Sequence, residues 1–357
     1  MLRLKVDLPL LFGLLALCAV SLLILYSAGG ENSRLIVNQA IRMTVALVLM
    51  LAIAQVRPDA WFRWSPYIYG AGLIMLLLVL LVGYTGKGAQ RWLDLGLLRF
   101  QPSEAMKLGV PMMIAWVLTR DSLPPKKRTL FYTAVLLLLP AGLILKQPDL
   151  GTTILIVASG TLIIFLAGFA WRSMGVLTLM GTIAAPFLWT LLHDYQKRRI
   201  LTLFDPWSDP LGAGYHSIQS MIAIGSGGAQ GKGWTNGSQS QLEFIPERHT
   251  DFIFSVFSEE FGFIGVLLLL ALYVGIVARG LYIAFYTKDT YSRLLAGSLS
   301  MTFFFYVFVN IGMVAGLLPV VGVPLPLISY GGTSMVTLMA GFGILMGIHK
   351  HRNLVSR

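Results

Sequence analysis

The sequence predicts an all-α polytopic membrane protein with about ten transmembrane helices and a large structured outer loop between the seventh and eighth. Three observations carry that prediction. Of 357 residues, 56% are hydrophobic and only 12% charged, whereas an ordinary soluble domain is about 25% charged. Stretches of roughly 20 apolar residues recur from end to end, each long enough to cross a hydrocarbon core of about 30 Å as a helix. These stretches are continuously apolar, while the strands of a β-barrel would alternate.

The first span, 8–28, follows "MLRLKVD". Its apolar core is longer than the roughly 7–15 residues of a signal peptide, so it is expected to be a retained helix. Cys18 within it is the only cysteine, which leaves no intramolecular disulfide and no Cys-based metal site and reads as packing. The second span, 36–56, carries Arg42, which either snorkels outward or marks a function. After the third, 66–84, comes a polar stretch over 85–103. Pro102 and Ser103 read as the start of the fourth, 104–120. Spans 129–145, 152–170 and 174–192 follow, then a long loop over 193–262. Spans 263–285, 294–317 and 332–349 complete one transmembrane domain over 1–357.

Lys and Arg set the orientation. With the N-terminus inside, the inner segments hold Arg3, Lys5, Arg57, Arg63, Arg120, Lys126, Lys127, Arg128, Arg172, Arg279, Lys288, Arg293, Lys350, Arg352 and Arg357, and the short outer ones only Arg34, Lys87, Arg91, Arg99 and Lys146. Both termini are therefore expected inside, with loops 85–103 and 193–262 outside. The net charge of +11 reflects this topology, and no nucleic-acid partner is expected. Of the acidic residues, only Asp7, Asp59, Asp121 and Asp289 lie on the inner side.

Loop 193–262 is rich in Gly, Ser and Gln but punctuated by Trp207, Tyr215, Trp234 and Phe244. That pattern predicts a folded lid at the membrane interface more than a linker. Its "GSGGAQGKGW" is no phosphate-binding loop, because Lys232 is followed by Gly rather than Ser or Thr. No nucleotide is expected, and a synthetic reaction on this face needs a donor that is already activated.

Three constellations carry candidate chemistry. His249 and Asp251 stand where loop gives way to helix. Either Thr250 or Asp251 caps that helix, or Asp251 is a general base among apolar neighbours. In "QPSEAMKLG", Glu104 and Lys107 share one helical face. They either cancel each other's insertion cost or form part of a site. In "LLPVVGVPLPLISYGGTS", prolines and glycines interrupt a helical pattern, and such backbone at membrane depth must line a cavity or be buried in protein. Ser329, Gly331 and Gly332 then open the last span, either as an anion-binding helix start or as a capped connection.

The same stretches resemble the SEDS family, the RodA/FtsW/SpoVE proteins. "NIGMVAGLLPVVGVPLPLISYGGTS" is similar to the family signature, and "RWLDLGLLRFQPSE", "KQPDLGT" and "FIPERHTDFIFSVFSEEFG" match its other blocks in order. "FIPERHTDFIF" and the tail "MAGFGILMGIHKHR" resemble the elongation branch, RodA. The resemblance implies a peptidoglycan glycosyltransferase in the bacterial cytoplasmic membrane. Such an enzyme polymerises lipid II on the outer face beside a class B penicillin-binding transpeptidase and other elongation-complex membrane proteins. It implies that Asp251 is essential and that Glu104 and Lys107 belong to the site. Arg91, Lys107 or a divalent cation (Mg or Mn) held by carboxylates would offset the leaving group's charge. Trp92 would stack on sugar or anchor at the interface, and Glu259 and Glu260 are expected to be structural. The alternatives are a lipid II flippase and a scaffold. Transporters often show broken helices in both halves, whereas here the interruption occurs only near 318–332. A scaffold would leave the outer carboxylates without a task.

Overall fold

The computed structural model describes residues 6–351, apart from 31, 87–88, 95, 97–98, 211, 213, 243, 246 and most of 170–193. Six helices among these are long and apolar enough to cross a membrane, so the chain is polytopic. The expected spans reappear as α1 (Leu8–Ala28), α2 (Ser33–Ile53), α3 (Pro58–Val82), α4 (Pro102–Leu118), α5 (Lys127–Lys146) and α6 (Leu150–Leu166), and later as α10 (Ile253–Phe285), α11 (Thr290–Val314) and α12 (Thr333–His351). The seventh expected span, 174–192, lies outside the described residues.

Local chemistry fixes the boundaries. Asp7, Asn32, Asp149 and Asp289 each accept a backbone N–H of the first turn that follows, satisfying a donor the helix itself leaves unpaired. Helix α3 begins eight residues before the expected 66, because Pro58 suits a first turn and the ring of Phe62 then packs edge-on against Tyr291. The all-α class holds, with one small addition that is not helical. Residues 84–100 form a small antiparallel sheet of β1 (Tyr84–Gly86), β2 (Ala89–Asp94) and β3 (Arg99–Phe100), with Trp92 opposite Tyr84. The long loop is folded, as its aromatic residues predict. It holds α7 (Asp194–Phe204), a 3-10 turn, α8 (Tyr215–Ser226) and the single turn α9 (Ser238–Gln241). Trp234 pins it to the bundle by donating to the Leu23 carbonyl at 3.1 Å.

Helix α10 is two helices in one. Its 33 residues would extend about 50 Å if straight, and Gly262 breaks it at φ 63°, ψ −167°. A break strands backbone groups on both sides, and buried ones need partners. The glycine-rich stretch supplies them. Gly228 and Ala229 accept from the N–H groups of Phe263 and Ile264, while Lys232 and Gly233 donate to Glu259 and Glu260. The approach is so close that a Cβ on Gly262 would lie 2.2 Å from the Gly231 nitrogen. "GSGGAQGKGW" is thus a saddle over a broken helix, which explains its glycines without any phosphate. The half-helix 253–260 is buried throughout.

Segment 315–332 dips back into the bundle. Tyr273 donates to the Pro326 carbonyl at 2.6 Å, Ser21 to Ile328 at 2.7 Å and Gln39 to Ser329 at 3.2 Å. These anchors hold Leu327 at φ 62°, a conformation that costs a non-glycine residue about 1–3 kcal/mol and survives only where the surroundings over-determine it. Arg42, nine residues into α2 and so about 14 Å down its axis, lies 4.6 Å from the Tyr330 ring centre. The central helix is α11, which packs on α4, α6, α8, α10 and α12.

Candidate active site

Asp251 sits where the turn leading into α10 meets the dipping segment. The helix begins at Ile253 with Phe252 as its cap residue, a side chain that cannot accept a first-turn N–H, while the Thr250 hydroxyl turns back to the Glu247 carboxylate at 2.9 Å. Three ties bind the turn to the dip. The Ser329 hydroxyl donates to the Thr250 carbonyl at 2.6 Å, the Tyr330 N–H donates to His249 at 2.9 Å, and Asn310 of α11 donates to both the Asp251 and Val323 carbonyls, at 2.9 and 2.7 Å. The carboxylate faces Gly322 (φ 73°), where an added Cβ would lie 3.5 Å from Asp251 Oδ2. His216 of α8 stacks on Phe252, and burial holds its pKa below the usual value, so it is neutral at pH 7 and adds no charge here.

Lys107 and Glu104 form an ion pair at 2.6 Å, with side chains only 6% and 8% exposed. The ammonium lies 4.6 Å from the centre of the Tyr306 ring. Tyr306 and Asn310 are one helical turn apart on the same face of α11, roughly 5–6 Å. One helix therefore carries the grip on Asp251 and the platform beneath Lys107. Glu104 Oε2, Thr302 Oγ1 and the Tyr306 hydroxyl are buried without a hydrogen-bond partner, and all three residues line a cavity of about 20 Å³.

The remaining expected residues brace this centre. Arg91 donates to the carbonyls of Gln147 and Pro148, buckling the sheet to the α5–α6 corner. There Gln101 donates to Asp149 at 2.9 Å, and a Cβ on Gly151 would touch Val321 and Val323. The "RWLDLG", "QPSE" and "KQPDLGT" blocks thus converge beside the dip. Trp92 is half-buried on β2. Ser329 spends its hydroxyl on Thr250 and accepts from Leu325 N–H at 2.8 Å, so it holds the turn. The Gly331 N–H approaches Gln39 Oε1 at 3.4 Å, and Gly332 lies against Arg42. His249 presents its ring edge to Tyr330. Asn310 and Tyr306 were not among the expected residues. Their signal was available, since Asn310 is a polar side chain within an apolar span and such groups cross-link helices in membranes.

The sequence profile of the FtsW/RodA/SpoVE family, described as cell cycle protein, matches residues 1–354. The chain belongs to this family. A member from Escherichia coli (strain K12), the peptidoglycan glycosyltransferase MrdB, is 51% identical over 99% of this chain and 96% of its own. The probable peptidoglycan glycosyltransferase FtsW of Idiomarina loihiensis is 36% identical over 98% of this chain and 86% of its own. Two solved family structures share the fold over nearly all of both chains. One, described as structural coordination of polymerization and crosslinking by a peptidoglycan synthase complex, is 35% identical over 99% of each chain with a TM-score of 0.86. The rod shape determining protein RodA of Thermus thermophilus is 32% identical over 98% of each chain with a TM-score of 0.74.

Proposed function

We propose that this chain is a peptidoglycan glycosyltransferase of the elongation type, which polymerises lipid II at the end of the bundle bearing the sheet and the large loop. That end is the outer face of the bacterial cytoplasmic membrane. The chain crosses ten times with both termini cytoplasmic. The observation that carries the reading is the placement of Asp251. Its carboxylate faces Gly322 of the dip, and its backbone is tied to the dip by the helix that also carries the platform beneath Lys107. Asp251 takes the proton from the 4-hydroxyl of the acceptor sugar. That oxygen attacks the anomeric carbon of the donor with inversion, and undecaprenyl pyrophosphate leaves. Lys107 offsets the charge developing on the leaving group. With its guanidinium on two carbonyls, Arg91 serves this centre by fixing the sheet, from which Trp92 offers a ring to sugar.

A divalent cation is the remaining candidate for charge offset. Among the described residues no three His, Cys, Asp or Glu side chains gather closely enough to hold one. A protein-built cage is therefore not what would hold it, and Mg or Mn would need only one or two carboxylates beside the donor's pyrophosphate. The likeness to a synthase-complex chain supports a class B penicillin-binding transpeptidase as partner, within the elongation machinery.

Purified protein with lipid II in detergent is expected to give glycan polymer on a gel, with or without a transpeptidase whose own activity is blocked. No polymer, together with Asp251-dependent movement of lipid II across vesicles, would establish a flippase instead. Topology is checked in a Cys18→Ser background. An impermeant thiol reagent added to intact cells is expected to label Ser238→Cys and spare Ser122→Cys, and the reverse pattern would invert the orientation.

A further inference from the structure

Asn310 is fully buried within α11, 59 residues after one segment it touches and 13 before the other. Its single amide nitrogen donates to the Asp251 carbonyl at 2.9 Å and to the Val323 carbonyl at 2.7 Å. Asp251 and Val323 belong to chain segments that meet only by folding. Gly322, next to Val323, is the residue the Asp251 carboxylate faces. The amide therefore pins together the two strips of backbone whose separation decides where that carboxylate points. Two N–H groups on one short, uncharged stem are needed, and only Asn offers them at this length. Leu has the shape without donors, Asp presents acceptors to two carbonyls, and Gln overshoots by a methylene. Val307, Val309, Met313 and Val314 bury the surrounding turns of α11 apolarly, so the helix has anchors besides the pin.

We propose that Asn310 is the positioning residue for Asp251, holding the base at its working distance from the acceptor hydroxyl through backbone and without touching substrate. This rests on the polymerase reading. A base displaced by about an ångström can lose about 10²-fold in rate, so the effect belongs in kcat and leaves the KM for lipid II in place.

The test is steady-state polymerisation by full-length Asn310→Leu and Asn310→Gln, normalised to folded protein by gel filtration. Asn310→Leu is expected to lose about 10²-fold in kcat with KM nearly constant, and Asn310→Gln to lose less. In an Asp251→Asn background, Asn310→Leu should cost almost nothing more, because residues acting as one unit are not additive. Wild-type kcat per folded molecule in either variant overturns the inference. So does a loss confined to KM, or an Asn310→Leu penalty that persists in full without the base. Should Asn310→Leu not fold, Asn310→Gln, which keeps both donors, is judged by the same criteria. Wild-type protein that makes no polymer sinks the polymerase reading and this inference together. Polymer from the wild type with undiminished turnover in the variants sinks this inference alone.

Discussion

Two Lys–Glu ion pairs of nearly equal length sit at the loop-bearing end of the bundle, at 2.6 Å for Lys107–Glu104 and 2.7 Å for Lys232–Glu259. Their surroundings differ. Glu259 also accepts from the Ser238 hydroxyl and from the N–H groups of Gln239 and Ser240, so its carboxylate is saturated, and Lys232 is 30% exposed. Glu104, by contrast, keeps one carboxylate oxygen of its own buried and unpartnered, and Lys107 faces an aromatic ring. A saturated pair is a clasp, and here it fastens α9 to the top of the broken helix. An unsaturated buried pair is expensive to keep and holds polar capacity in reserve, which is what a site does. Distance alone would have ranked the two as equals.

The scale for breaking this contrast is set by Asp251. Asp251→Asn is expected to fold, bind lipid II and lose about 10²–10⁴-fold in polymerisation, the usual worth of a general base. Asp251→Glu should retain partial activity at best. Near wild-type polymer from Asp251→Asn would take the base out of the mechanism. Next in size, Lys107→Ala should lower the rate per folded molecule by about 10²–10³-fold, as removal of one electrostatic stabiliser typically does. It should also cost about 3–5 kcal/mol of stability by stranding Glu104. Normal turnover in folded Lys107→Ala would reduce this pair to the status of the other.

The clasp should behave in the opposite way. Glu259→Gln is expected to lose about 1.5–3 kcal/mol, typical of charged hydrogen bonds, with turnover per folded molecule unchanged. Thermal unfolding in detergent beside the polymer assay checks both halves. The smallest effect belongs to the far end, where Arg279 pairs with Asp7 at 2.6 Å. Burial pushes the Asp7 carboxyl up, but hydrogen bonds from Arg279 and Leu10 and the nearby charge outweigh it, leaving the group below its usual value. A depressed carboxyl stabilises the fold above the unfolded pKa, near 3.8, and that contribution fades as pH falls through the folded value. Asp7→Asn should therefore be less stable than wild type at neutral pH, with the gap closing below about pH 4.

Much of this was legible in residue order. Hydropathy placed most of the described spans within a few residues, because about 20 apolar side chains in a row have few other homes, while the helices holding Pro58 and Ile253 start eight and ten residues early. The pairing of Glu104 with Lys107 followed from their spacing. The small sheet was not legible, since its strands are short and depend on Arg91 reaching the α5–α6 corner. Nor was the path of 249–262. "HTDFIFSVFSEEFG" reads as the lip of a span, yet Thr250 and His249 bond to Ser329 and Tyr330, and Tyr330 packs on Arg42 well inside α2. The expected span starts at 263, so the apolar pattern marks the boundary, but it does not show that 253–260 is itself a buried helix set apart from 263–285. The separation comes from Gly262 and from a saddle some thirty residues upstream, a partnership that exists only once the chain has folded.

That break also works as a ruler. Nine residues of helix lie between Phe252 and Gly262, a rise of about 13 Å, so the carboxylate is set at a measured depth beneath the rim where Glu259 and Glu260 are clasped. Under the proposed reaction the bond would be made at that depth, below the Gly-, Ser- and Gln-rich loop. On that reading, one glycine separates the level at which a bond is made from the level at which its product meets water.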